Sequence, residues 1–219
     1  YKVRHESLQT SFALKVLKVS HPRIQERLIR EGQVQAKLKH PHVVSVVDVL
    51  QLSDVTGLVM EFVDGKSLDQ VLDERRLSLQ ETDKLFLQIL DAVGEAHSMG
   101  IIHRDLKPDN VMILDRNNKL RAMVCDFGLA KALEDGSDNP QENVHSSTKS
   151  GMTMGTPAYM APEQLRGHLY SPGPWTDLYS LGCLAWQLVT GRPPFVGEVR
   201  VLQQAHSVWP VPQLQPAVD

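Results

Sequence analysis

Within His103-Arg104-Asp105-Leu106-Lys107-Pro108-Asp109-Asn110 the chain places a carboxylate, an ammonium and a carboxamide close together, on Asp105, Lys107 and Asn110. Gly100-Ile101-Ile102 comes before and Val111-Met112-Ile113-Leu114 after, so a polar loop is gripped between segments that read as core. Catalytic loops are built this way, with reactive groups on a turn and rigid apolar elements on both sides. Taken alone, Lys-Pro-Asp-Asn is also good turn chemistry, and a solvated turn is the plainer reading. Asp126, between Cys125 and Phe127, has the same two readings. It starts a turn before Gly128, or, beside Asp105, Lys107 and Asn110, it binds a hard cation such as Mg2+, which keeps positions for water and phosphate.

A second pair of candidates lies nearer the start. Phe12-Ala13-Leu14-Lys15-Val16-Leu17 alternates like a half-buried strand, with Ala13, Lys15 and Leu17 on one face and Phe12, Leu14 and Val16 on the other. A strand lysine without a partner snorkels to water. The next element supplies one. With Ser20 as N-cap and Pro22 in its first turn, a helix is expected to run to about Lys39, with Ile24, Leu28, Glu31, Gln35 and Leu38 along its inward stripe. A carboxylate unpaired on that face would be costly, so Glu31 needs a cation or strong donors, and Lys15 is the candidate.

Punctuation and periodicity outline the elements that must hold these groups. His40-Pro41-His42 stops the helix, and Val43 to Leu50 and Gly57 to Val63 read as strands joined by Gln51-Leu52-Ser53-Asp54. Val63-Asp64-Gly65 then breaks the pattern before a helix opening at Ser67-Leu68, the best boundary between two lobes, 1–63 and 64–219. Leu85 to Ser98 has helical apolar spacing, with Gly100 to end it. Val111 to Leu114 and Leu120 to Cys125 flank a turn-rich stretch as a hairpin, which delivers Asp126-Phe127-Gly128 beside the polar loop. Ala132 to Gly155 is polar, long and aperiodic, a functional or disordered segment with Ser146, Ser147, Thr148, Ser150 and Thr153. A helix starts at Pro162, and Trp175 to Val189 is an apolar helix central to a core, its dipole complemented by Asp177.

Composition narrows the class. The 219 residues, 42% hydrophobic and 22% charged, suit an ordinary globular protein with one large or two small cores. A formal charge of -3 offers no polyanion-binding surface, so nucleic acid is not an expected partner. The most apolar stretch, Leu178 to Val189, is too short to span a bilayer, and the start does not resemble a signal peptide. Cys125 and Cys183 lack metal or CxxC spacing, which points to reduced thiols and a cytoplasmic location. The chain opens at Tyr1-Lys2-Val3 already in strand-like alternation and stops at Asp219 without a closing helix, the pattern of a fragment.

Seven pieces, in order, resemble the eukaryotic-type (Hanks-type) serine/threonine protein kinases, in tone their bacterial members. They are Phe12-Ala13-Leu14-Lys15, the helical Glu31, Val59 to Gly65, His103 to Asn110, Asp126-Phe127-Gly128, Gly155 to Glu163 and Asp177 to Cys183. The resemblance implies an α+β, bilobal fold with a small β-rich lobe carrying one helix and a larger, mostly helical lobe. It implies transfer of the γ-phosphate of ATP, with Mg2+, to Ser/Thr hydroxyls of protein substrates. Lys15 would hold the α- and β-phosphates, braced by Glu31. Asp126 would bind Mg2+ and Asn110 a second metal position, while Asp105 accepts the hydroxyl proton and Lys107 neutralises the γ-phosphate.

Adenine would lie between Ala13 and Met112, bonded to the Glu61 carbonyl and the Val63 amide, with Met60 as gatekeeper. Arg104, with Lys131, would receive a phosphorylated residue of the long segment, Thr153 first and Thr148 second. Lys107 and Thr156 follow the family's Ser/Thr pattern. Three departures stand out. The glycine-rich loop that covers the phosphates is absent, the last helices and the arginine that would pair with Glu163 do not follow, and Gln35 occupies a place the family makes apolar, which is expected to loosen its helix. A pseudokinase or nucleotide-binding scaffold is the alternative function, against which the intact Lys15, Asp105, Asn110 and Asp126 count.

Overall fold

The computed structural model describes residues 1–18, 22–52, 55–117, 119–128, 157–165 and 171–214. Strands β1 (Lys2–Arg4), β2 (Ser11–Lys18), β3 (Val46–Leu52) and β4 (Val55–Glu61) make one antiparallel sheet, ordered β1-β2-β4-β3. Helix α1 (Pro22–Gln35) packs against β3 and β4. Period-two alternation puts Leu17 toward α1, where Leu17, Leu28 and Leu58 form a small core with Ile24, Val49 and Met60 around it. Lys15 shares that face, and the register sets it opposite Leu58, with Ala13 opposite Met60.

Helix α1 stops before the expected Lys39. The amides of Lys37 and Leu38 bond the carbonyls of Val34 and Gln35, three residues back, so the last turn tightens and the chain leaves the helix. Leu38 thereby joins the main core of the molecule. Strand β3 likewise begins later than Val43, because Val43 is engaged in an isolated parallel bridge to Val124. Around that bridge the Val44 amide donates to the Val124 carbonyl and the Val124 amide to the His42 carbonyl, both at 2.8 Å. These bonds tie the first sheet's connection to the second.

That second sheet is β5 (Lys66–Ser67), β6 (Val111–Arg116) and β7 (Lys119–Val124), in the order β5-β6-β7. Around it stand α2 (Leu68–Glu74), α3 (Leu79–Ser98), α4 (Pro162–Leu165), α5 (Pro174–Thr190) and α6 (Val199–Val208). Capping boxes open α2 and α3, Ser67 with Gln70 and Ser78 with Glu81. Helix α3 therefore begins at Leu79, ahead of Leu85, at a Ser-x-x-Glu signal that apolar spacing does not see. Ile89, Val93 and Ala96 of α3, Leu181, Leu184 and Leu188 of α5, and Val111, Ile113 and Val124 of the hairpin share one core.

Helix α6 is an element that apolar periodicity did not reveal. Its Leu202 and Ala205 bury against Phe195, and its His206 lies with Nδ1 2.7 Å from the Tyr179 hydroxyl of α5. Burial holds the His206 imidazole below its ordinary pKa. The architecture is α+β, with a β-sheet part bearing one helix and a mainly helical part. Among the described residues no helix is long and apolar enough to cross a membrane.

Candidate active site

The polar loop hangs from the first turn of α5. Asp177, completely buried, accepts the backbone N–H of His103 on Oδ2 and that of Arg104 on Oδ1, both at 2.8 Å, while His97 Nε2 lies 2.7 Å from Oδ2. A buried carboxylate is tolerable because these groups replace its water. In return it holds Arg104 at φ 67°, a left-handed conformation unfavourable for an L side chain. Gln164 of α4 fixes the other side of the same residue, donating to the Arg104 carbonyl at 2.6 Å. Spacing alone assigns Asp177 only to the helix dipole and says nothing of Gln164. Contacts that span 60 to 74 residues leave no local pattern to read.

Past this anchor the loop brings its three reactive groups together. Asn110 Nδ2 donates to the Asp105 backbone carbonyl at 2.7 Å and to its carboxylate at 3.1 Å. Lys107 Nζ stands 3.1 Å from the same carboxylate oxygen, Oδ2. The tight turn Pro108–Asn110 makes this possible, folding Asn110 back over Asp105 while Asp109 faces solvent. Asp105 is thus oriented, and with 31% of its side chain exposed it remains reachable from outside.

The end of β7 adds the fourth group. His103 Nε2 lies 2.8 Å from the Cys125 carbonyl, and its ring packs 4.8 Å from that of Phe127, which is buried. Between them Asp126 sits at φ 65° and Gly128 follows at φ 68°. Asp126 Oδ2 pairs with Lys15 Nζ at 2.8 Å. Helix spacing nominated Glu31 as the partner of Lys15. In the structure the Lys15 ammonium goes to Asp126, and Glu31 stands at Gly128, where a Cβ would come within 3.3 Å of its Oε2.

Asp126 Oδ1 is buried and has no hydrogen-bond partner among the described residues. An acceptor left this way is expensive, and a cation would satisfy it. Asn110 spends its amide hydrogens on Asp105, which leaves its oxygen as the acceptor, so both candidate ligands offer hard oxygens, the set Mg2+ takes. No group of three or more His, Cys, Asp or Glu among the described residues closes into a cage.

Beside these polar groups is an apolar floor. Val63, Val44 and Met123 are buried together, with Met60, Met112 and Cys125 packed against them. Burial drives the Cys125 thiol strongly upward in pKa, with the Asp126 charge adding to it, so it stays protonated and inert. Ala13 opposes Met60 across β2 and β4, and the Glu61 amide is used internally, donating to the Ser45 carbonyl at 2.9 Å. Lys131, Thr148, Thr153 and Thr156 lie outside the described residues.

Residues 1–214 match the family model described as the protein kinase domain. The chain belongs to the protein kinase family. Similar proteins include the serine/threonine-protein kinase Pkn3 of Myxococcus xanthus, 37% identical over 92% of this chain and 37% of its own length. PkaA of Streptomyces coelicolor, also named a serine/threonine-protein kinase, is 37% identical over 90% of this chain and 36% of its own length. The serine/threonine-protein kinase PknB of Mycolicibacterium smegmatis is 36% identical over 94% and 32%. The chain thus spans about a third of the length of these relatives. In this kinase domain the α+β fold and the bacterial likeness agree with the motifs; Asp105, Lys107 and Asn110 meet within one loop, and Lys15 pairs with Asp126.

Proposed function

We propose that this protein kinase domain transfers the γ-phosphate of ATP to serine and threonine hydroxyls of protein substrates. The observation that carries the proposal is the pairing of Lys15, from the first sheet, with Asp126 at the end of β7, where the neighbouring Cys125 amide bonds the carbonyl of Asn110, itself bonded to Asp105 beside Lys107. Phosphoryl transfer asks a protein mainly for placement and charge, and this cleft supplies both. Asp105, oriented by Asn110, accepts the proton of the attacking hydroxyl. Lys107, already at the same carboxylate, balances negative charge on the transferred group, and Lys15 binds phosphate oxygens further back. Mg2+ held by Asp126 and Asn110 would neutralise phosphate charge.

The apolar floor of Met60, Val63 and Met112, with Ala13 opposite Met60, is the adenine site in this reading, and the kinase resemblance implies that the Glu61 carbonyl and the Val63 amide bond the purine. Glu31 steadies the cleft from α1. The small lobe comprises 1–63 and the larger 64–219, and the protein works in the cytoplasm. Arg104 and Lys131 take up a phosphate on Thr153 or Thr148, with Thr156 closing the segment, as the kinase resemblance suggests.

The test is transfer from γ-labelled ATP to a generic Ser/Thr-rich protein by the wild-type chain and by Asp126→Ala, with and without Mg2+. Label on Ser/Thr that needs both Mg2+ and Asp126 supports the proposal. Activity surviving in Asp126→Ala would overturn the cation assignment, and ATP binding without any transfer by the wild type would favour a scaffold.

A further inference from the structure

Gln35 breaks the apolar pattern of α1, yet it is one of that helix's most buried residues, 6% exposed. Its Nε2 donates to the Phe127 backbone carbonyl across 92 residues. Together with the His103 contact to the Cys125 carbonyl, this bond fixes the backbone on both sides of Asp126. Asp126 needs such support. It occupies φ 65°, where an L residue is disfavoured, and the next residue but one, Gly128, is left-handed too. Among the described residues its side chain is guided by an ion pair to Lys15, with Oδ1 buried and unpartnered. What aims that oxygen is therefore the backbone, held by His103 from below and by Gln35 from above.

We infer that Gln35 is a positioning residue for the cation site: its amide clamps the Phe127 carbonyl and so aims Asp126. The expectation that a polar residue here loosens α1 is thereby reversed, because the amide supplies a bond from α1 to the Asp126 turn that no apolar side chain could make. The inference rests on reading Asp126 as the cation ligand. Glu31 lies beside Gly128 on the same side, with Oε2 3.3 Å from where a Cβ would be, so two α1 side chains border the turn, and among the described residues Gln35 is the one that bonds the Phe127 carbonyl.

The test uses calorimetry on the whole chain, comparing affinity for a non-hydrolysable ATP analogue in Mg2+ and in EDTA. Gln35→Met keeps the length and apolar bulk and deletes the donor. Losing one net amide hydrogen bond should cut the Mg2+ enhancement about 3- to 10-fold, while affinity in EDTA stays near wild type and the melting temperature falls only as far as the loss of that one bond requires. Gln35→Leu serves the same purpose should the methionine variant fail to fold. An unchanged Mg2+ enhancement, with or without a lower melting temperature, would overturn the inference and leave Gln35 a packing residue. Asp126→Ala separates the two levels: if it keeps the enhancement, the cation reading itself is wrong, whatever Gln35 does.

Discussion

Asp177 Oδ1 sits 2.8 Å from the backbone nitrogen of Arg104, across 73 residues of chain, and so sets the residue immediately before Asp105. Its other oxygen receives the His103 amide, so both carboxylate oxygens are needed as acceptors. Asp177→Asn keeps the shape and turns one acceptor into a donor that faces a backbone N–H. The expected cost is about 2–3 kcal/mol, the loss of a hydrogen bond to a charged group, read as a lower urea midpoint at unchanged slope. Transfer should fall with it, since Arg104 would be released from its left-handed conformation. A wild-type midpoint would show that the anchor does not bear on stability.

Gly32 lies between Glu31 and Gln35 in sequence and faces the sheet, where a Cβ would meet Val49 Cγ2 at 2.8 Å and Leu58 Cδ2 at 2.9 Å. Two effects compete in Gly32→Ala. Helix propensity favours alanine by about 1 kcal/mol, and overpacking a tight core costs about 1–3 kcal/mol. Val49 is β-branched and Leu58 is fully buried, so neither yields easily, and overpacking should win by roughly 1 kcal/mol. Thermal melting reads the sign directly. A stabilised Gly32→Ala would mean that α1 can ride up off β3 and β4 without penalty.

Glu81 accepts from both terminal nitrogens of Arg75, at 3.0 and 2.7 Å, and from the Ser78 amide and hydroxyl at the start of α3. These bonds, the guanidinium first, hold its carboxyl down to about 2 from an ordinary 4.5. Because the folded pKa is the lower one, the stabilisation is complete above about pH 4.5 and is lost as pH falls toward 2. Partial exposure screens the pair, so Glu81→Gln should cost about 1 kcal/mol at pH 7. Urea unfolding at several pH values should show the gap between wild type and variant closing through that acid range, whereas a gap constant with pH would refute the linkage. Lys66–Glu74, more than half exposed at both ends, is expected to contribute almost nothing by the same measurement.

What the sequence made legible was local, and what it hid was long-range. Asp105, Lys107, Asn110 and Asp126 could be picked out because a polar loop and a hairpin return place them together without knowledge of the packing. The partner of Lys15 could not: helical spacing brings Glu31 to the inner face, but which carboxylate the ammonium meets depends on how α1 and the Asp126 turn pack. Helix α3 starts earlier than its apolar run because Ser78 and Glu81 cap it, a signal written in polar residues. Helix α6 escaped notice since its inward face is short and carries His206 among its buried residues. Gln35 shows the limit most clearly, a polar residue in an apolar stripe that reads as a flaw until Phe127 is seen opposite it.

The proposed transfer rests on Asp105 as the group that would take the hydroxyl proton, and one comparison tests this most directly. Single-turnover transfer from ATP and Mg2+ to a Ser/Thr protein should be measured for wild type and Asp105→Asn, alongside ATP binding by each. Asparagine preserves the shape and removes the base, so transfer should fall by about 10²- to 10⁴-fold while ATP binds as before. Transfer at the wild-type rate by Asp105→Asn, with ATP binding intact, would contradict the account.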